Sequence, residues 1–372
     1  MLLLKQPKMQ KIRIFSFPSH SPGKHISGVD YPRIIQPMKF LHGYKDDEVE
    51  ISVMPWNGEK ISVARWDLIC NSVDILYLNY TLNDWSFASM GTMARKHKIK
   101  IVMDLDDAVW YINKDNTVYD NYKKGSKGIA TLTCICNEVD YMTCTNSYLR
   151  NVIVNSTHKK HEKIGVFGNC VDLGLYNHVP AFKDTPNINI VHYGSSSHYT
   201  DLKDAQFQKG MDKIMYDYPN VTFLTVGSFF GELKEKWGRR YEEEFGALNF
   251  LEWAKKRFPE VMDKTDIFVA PLSDSIYNRS KSDIKRSEVA TTKKPFVGSN
   301  IRQYQECITD GVDGFLCKTA DEWYNAIKSL IDDKELRRKV GEAGYERVKQ
   351  TRQAKDIVKD YATFFKKVML DK

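Results

Sequence analysis

Short apolar runs, each ended by a turn or loop, recur along the chain between stretches of helical period. Residues 11–17 (KIRIFSF), 49–53, 73–78, 99–103, 139–145 and 163–167 read as strands. So do 188–193 (INIVHY), 221–226, 266–270 and 295–299. Runs apolar on both faces and closed by Gly or Pro suit buried parallel strands rather than a half-solvated antiparallel sheet. Between them, residues 29–41, 87–97, 284–292, 322–330, 334–351 and 353–368 carry the amphipathic period of helices. A strand or strand edge and a helix around Trp253 are expected within 241–258. Strand alternating with helix predicts an α/β chain with parallel sheets. Residues 179–186 hold two prolines and read as a linker. That divides the chain into 1–178, 179–352 and a terminal helix, 353–372.

The stretch 266–299, DIFVAPLSDSIYNRSKSDIKRSEVATTKKPFVGS, organises the second half. It reads as a buried strand stopped by Pro271, a polar loop over 273–282, a helix with Ser282 as N-cap, and a further strand. In doubly wound sheets ligands sit at the carboxyl ends of the strands. A helix start there, beside Lys281, Lys285 and Arg286, suits an anion such as a diphosphate. The plain alternative for the two lysines is an ordinary charged helix face. Residues 18–28 form a loop between the first strand and the helical stretch after it, with Gly28 and Arg33 as candidates. No G-x-G-x-x-G is present, so a dinucleotide is not indicated.

These motifs resemble GT-B glycosyltransferases, above all the retaining family-four (group 1) class. Glu288 before PFVGS stands where that class has the second Glu of its E-x7-E pattern; the first falls at Ser280, so the pattern is broken there. Asn278, Lys281, Ser282, Ile284 and Lys285 instead resemble a divergent F-N-x-x-K-S-x-I-K-x-x-E subgroup of bacterial and phage type. Residues 194–202, GSSSHYTDL, are similar to its G-S-x-x-H-x-x-D-L loop, and 306–316 to its E-x-I-x-D-G-x-x-G-F-L hairpin. Asn169 and Asp172 match the I-P-N-G-V-D passage that ends the first domain. The resemblance implies two Rossmann-like domains facing an interdomain cleft, with the last helix crossing back to the first domain. It implies a nucleotide-diphospho-sugar donor, UDP-sugar foremost, and transfer to an acceptor hydroxyl with retention. Lys281 and Lys285 would neutralise phosphate and Glu288 would hold ribose. Gly194, Ser195, His198, Asn278 and Ser282 would complete the donor pocket, with no metal required.

Asp104 and Asp106, in DLDD after an apolar strand, carry several readings. They could face the acceptor, serve a structural role, hold a cation under a diphosphate, or act as a phosphatase pair. Ala108 stands where the phosphatase motif has Thr or Val. His198 in its loop is catalytic or merely solvated. The seven cysteines are scattered, without C-x-x-C spacing, as free thiols of a reducing cytoplasm would be. Net charge of +7 favours anionic partners: nucleotides, an acidic membrane surface touched peripherally, or DNA. Surface glycan, lipid-linked glycan and hydroxymethylated DNA bases all stay open as acceptors, as does a nucleotide-sugar- or DNA-binding protein without turnover. No run approaches the ~18 apolar residues of a membrane span.

Overall fold

The structure, a computed structural model, describes residues 9–18, 28–56, 61–80, 84–116, 118–180, 186–194, 198–227, 231–244, 246 and 249–371. The chain forms two compact units. The first comprises Met1–Asp106, Lys127–Asn169 and Ala354–Lys372, the second Asp107–Ser126 and Cys170–Gln353.

The first unit is built on six strands: β1 (Gln10–Phe17), β2 (Val49–Pro55), β3 (Ile75–Asn79), β4 (Lys100–Leu105), β5 (Tyr141–Cys144) and β6 (Ile164–Val166). They run parallel in the order β2-β1-β3-β4-β5-β6. β3 and β5 are buried along their whole length, which is why they read as unbroken apolar runs rather than alternating ones. The terminal helix Val358–Leu370 belongs to this unit, with Tyr361, Phe364, Phe365 and Val368 in its core beside Ile12, Tyr77 and Phe167. Phe167 stacks on Tyr361 at 4.1 Å between ring centroids.

The second unit repeats the plan with β7 (Ile188–Tyr193), β8 (Val221–Val226), β9 (Tyr241–Glu244), β10 (Ile267–Ala270), β11 (Phe296–Ser299) and β12 (Phe315–Cys317). The strands are again parallel, in the order β12-β11-β10-β7-β8-β9. That is a doubly wound sheet, and its order reverses between β7 and β10. The carboxyl ends of those two strands are therefore where a ligand site is expected. Helix Ala320–Asp332 is fixed by a capping box of Thr319 and Glu322, and it packs closely on helix Ala205–Asp217. The contact is tight enough that a Cβ on Gly210 would sit 2.7 Å from Trp323 Cβ.

Several local expectations are corrected. Residues 306–316 make no hairpin: a loop turning at Gly311 (φ +73°) leads into β12 alone, which pairs in parallel with β11. The polar stretch 273–282 contains a helical turn, Ile276–Arg279, capped by Ser275, whose side chain accepts from the Asn278 amide. The following helix is Ile284–Thr291, and its N-cap is Asp283 rather than Ser282. Asp283 makes no side-chain cap, and its carboxylate accepts from Arg352 Nε at 3.0 Å. The expected helix over 29–41 is a wide π-type turn, Tyr31–Ile35, running into a short helix, Gln36–Leu41. Among the described residues, no helix is long and apolar enough to cross a membrane.

Candidate functional site

Strand β7 delivers His192 and Tyr193 to the switch point and ends at Gly194. A Cβ on Gly194 would lie 2.7 Å from His198 Cδ2, 3.1 Å from Lys285 Nζ and 3.2 Å from His192 Nε2. Three basic side chains thus converge on the space that glycine leaves. His198 Nε2 lies 2.7 Å from Lys285 Nζ, and His198 Nδ1 lies 2.9 Å from Asp201 Oδ2. Burial, with the charges of Lys285 and Lys281, pulls His198 down to about 3, so its imidazole is neutral. Burial also drops the Lys285 amine to about 7, with Lys281 adding to the shift and Asp201 and Glu288 opposing it. His192 is 1% exposed and neutral for the same reason of burial. Its Nδ1 lies 3.0 Å from the Val269 carbonyl, which can only accept, so Nδ1 carries the proton and Nε2 the lone pair.

Glu288 comes from the first turns of helix Ile284–Thr291 and is buried. Its carboxylate accepts from Tyr176 OH at 2.5 Å and from Tyr193 OH at 2.7 Å. Burial raises its pKa against the pull of both tyrosines and of Lys285. Asn278 Nδ2 donates to Asp201 Oδ1 and to Ser273, and Lys281 Nζ lies 4.6 Å from the centre of the Tyr277 ring. Arg286, expected beside the anion, is instead buried against the unit's interior, 3.3 Å from Asp313 Oδ2. Ser282 precedes the cap and does not form it. Ser195 lies outside the described residues. His192 Nε2, Asn278 Oδ1, Ser287 Oγ and Gln303 Oε1 are buried without a hydrogen-bond partner. Such atoms are uncommon in folded proteins; three of the four are acceptors, and here they suit a polar ligand that brings hydroxyl donors.

The sequence-based candidates of the first unit fall differently. Arg33 and Asp104 form a buried bidentate pair, 1% and 0% exposed, with Arg33 Nη2 2.6 Å from Oδ1 and Nε 3.0 Å from Oδ2. Thr143 Oγ1 donates to the same Oδ1 at 2.5 Å, and Arg33 Nη1 reaches the Phe167 carbonyl and Asn169 Oδ1. Both charges are consumed inside the unit, so neither side chain is presented to a ligand. Asp106 is half-buried at the end of β4, outside that pair. Gly28 is exposed with open space around it. Asp107 belongs to the second unit, where it accepts from Tyr277 OH at 3.1 Å. Among the described residues, no group of three or more His, Cys, Asp and Glu side chains could hold a metal ion.

Sequence reasoning missed His192, Asp201, Tyr176 and Tyr193 as parts of this site. Asp201 carried a signal, its i,i+3 spacing from His198; a tyrosine closing a strand carries none.

The family profile described as "Glycosyl transferases group 1" matches residues 189–333, which include all of these second-unit side chains except Tyr176. No curated protein matches the chain by sequence. Several solved structures share its architecture. HepE of Anabaena, solved with UDP-glucose, is 13% identical, with a TM-score of 0.64 over 96% of this chain and 100% of its own. A glycosyltransferase from Rickettsia africae is 12% identical, with a TM-score of 0.62 over 98% of this chain and 100% of its own. The sucrose-phosphate synthase of Thermosynechococcus elongatus is also 12% identical and has a TM-score of 0.56, again over 98% and 100%. Profile and architecture agree: the chain has the GT-B fold of two Rossmann-like units, and residues 189–333 of its second unit match the group 1 glycosyl transferase profile.

Proposed function

We propose that the chain transfers a sugar from a nucleotide-diphospho-sugar, a UDP-sugar foremost, to a hydroxyl of a glycan acceptor. The configuration at the transferred carbon is retained, as in the class its motifs resemble. The observation that carries this reading is the convergence of Lys285, His198 and His192 on Gly194 at the β7–β10 switch point. HepE, similar in fold, is bound to UDP-glucose in one of its structures.

In this reading the diphosphate lies against Gly194, where no side chain keeps it from the Lys285 amine. Lys285 and Lys281 stabilise the charge that grows on the leaving diphosphate, an electrostatic contribution that needs no protein nucleophile. The amine is drawn to its charged form by the arriving anion, because opposite charge favours ionisation. Glu288 accepts the ribose hydroxyls: each carboxylate oxygen bonds one tyrosine and keeps a second lone pair. Asn278 and Ser282 complete the donor side, and Asp106 remains the acceptor-side candidate. A phosphatase nucleophile at Asp104 loses its support, since that carboxylate is committed to Arg33 and Thr143.

The test is a panel of nucleotide sugars scored for release of free nucleotide, with and without glycan, lipid-linked and hydroxymethylated-DNA acceptors. Acceptor-dependent UDP release, with an anomer matching that of the donor, supports the reading. Binding without release would identify a nucleotide-sugar-binding protein instead.

A further inference from the structure

Asp201 is 1% exposed and joins two stretches of the second unit, its own loop and the polar stretch 273–282. Its Oδ1 accepts from the Ser273 amide and hydroxyl, each at 3.0 Å, and from Asn278 Nδ2 at 2.6 Å. Its Oδ2 is bonded to His198 Nδ1. Oδ1 is saturated and Oδ2 is turned to His198, and at 1% exposure the carboxylate is held inside the unit. The carboxylate is ionised: burial works against its charge, yet His198, Lys281 and the Ser273 amide hold it down to about 2. An ionised carboxylate can only accept, so His198 Nδ1 must carry the imidazole proton and Nε2 must bear a lone pair. That lone-pair nitrogen is the one 2.7 Å from Lys285 Nζ.

We infer that Asp201 is a positioning residue for donor binding: through His198 it aims an imidazole lone pair at Lys285 Nζ and so holds that amine beside Gly194. The inference rests on the diphosphate-binding role proposed for Lys285. Asp201 acts at one remove, and one N–H of Lys285 is spent on His198 while the others remain for the anion. The charged and titratable groups facing Lys285 are Lys281, Asp201, Glu288, His198 and His192. Asp201 and Glu288 are the two that favour its charged form.

Asp201→Asn tests this. The Asn carbonyl still accepts from Ser273 and Asn278, but its amide turns a donor toward His198 Nδ1. The imidazole proton then moves to Nε2, against Lys285, and the ammonium loses both its acceptor and a nearby negative charge. Nitrogen NMR of the His198 ring, assigned with His198→Gln, should place the proton on Nδ1 in the wild type and on Nε2 in the variant. UDP-glucose affinity should fall roughly tenfold, the worth of one charge-assisted hydrogen bond. The loss should be larger at alkaline than at acidic pH, where the ammonium is restored. A proton on Nε2 in the wild type, or a loss equal at every pH, would overturn the inference. If Asp201→Asn does not fold, His198→Leu, which offers Lys285 no acceptor, leaves the other three bonds of Asp201 intact and should show the same pH-selective loss; its absence overturns the inference equally. If UDP-glucose binds neither protein, the donor reading fails, and the tautomer alone decides the Asp201–His198–Lys285 arrangement.

Discussion

Glu288 serves two partners at once: the tyrosine hydroxyls that fix it and the ribose hydroxyls it is proposed to hold. Glu288→Gln keeps the shape and one acceptor but loses the charge. Donor affinity should drop about tenfold to a hundredfold, the range of one charge-assisted hydrogen bond. Glu288→Ala should also lower the melting temperature, because the buried Tyr193 hydroxyl loses its acceptor at about 1–3 kcal/mol and Tyr176 loses its bond to the same carboxylate. Calorimetric donor titration beside thermal melts separates the two effects; an unchanged affinity in folded Glu288→Ala removes the ribose role. Lys285 makes a second residue-level expectation. Its amine titrates at about 7 when folded, against ~10.4 in an unfolded chain. Between those values the unfolded chain binds more protons, so the ligand-free protein gains stability as pH rises through that window. Below pH 7 the cost of holding the charge on this half-buried amine is fully present. Lys285→Met abolishes the term, so its melting-temperature advantage over wild type should shrink steadily between about pH 7 and 9. A constant difference would mean that Lys285 is not buried as a titrating amine.

At the scale of elements, close approach decides more than propensity. Gly341 lies inside helix Lys334–Thr351, where Ala would ordinarily gain about 1 kcal/mol. Here a Cβ would come within 2.6 Å of the Lys293 carbonyl carbon, and closer still to its oxygen. Gly341→Ala should therefore destabilise, by about 1–3 kcal/mol as overpacked sites do; a denaturant midpoint above wild type would contradict the packing. Strands were the most legible elements, because burial on both faces writes them as continuous apolar runs. β7 and β8 fall at 188–193 and 221–226 as expected, and β1–β6, β10 and β11 lie within about two residues; β9 was expected only somewhere within 241–258, and β12 only as part of a hairpin. Helices Val63–Ser72, Lys127–Glu138 and Ala205–Asp217 were not anticipated. Val63–Ser72 is only weakly amphipathic, so packing rather than pattern makes it helical, whereas Ala205–Asp217 carries a regular face of Phe207, Met211, Ile214 and Met215 interrupted only by Gly210. The site was legible where a motif spaced its charges, as at Asn278, Lys281, Lys285 and Glu288. It was illegible where burial alone assigns the role. Arg33 and Asp104 each read as site residues, but only the fold brings them 71 positions together into a closed pair. His192 looked like one more residue of an apolar strand.

Across the whole molecule, two doubly wound sheets share one plan, and the last helix, Val358–Leu370, returns to the first unit. The motif resemblance is densest in the second unit, where the proposed donor site lies. In the first unit Arg33 and Asp104 are turned inward, leaving Gly28 and Asp106, so the acceptor is less determined than the donor. The whole chain's excess of 55 basic over 48 acidic residues is compatible with a polyanionic glycan, a lipid surface or DNA alike. Because Lys281 and Lys285 are assigned the phosphate charge, turnover should survive EDTA. Full loss in chelator, restored by Mn²⁺, would move that role to a cation.

The central claim is that Lys285, seated beside Gly194 and His198, binds the donor's diphosphate. Calorimetric titration of UDP-glucose into wild type and Lys285→Met, each shown to be folded, tests it most directly. The account predicts binding to wild type that weakens as pH rises above about 7, with uptake of a proton visible as a buffer-dependent heat. It predicts a loss of at least roughly tenfold in Lys285→Met, the cost of one charge-assisted contact. Equal affinity in the two proteins, with the same pH dependence, would contradict it.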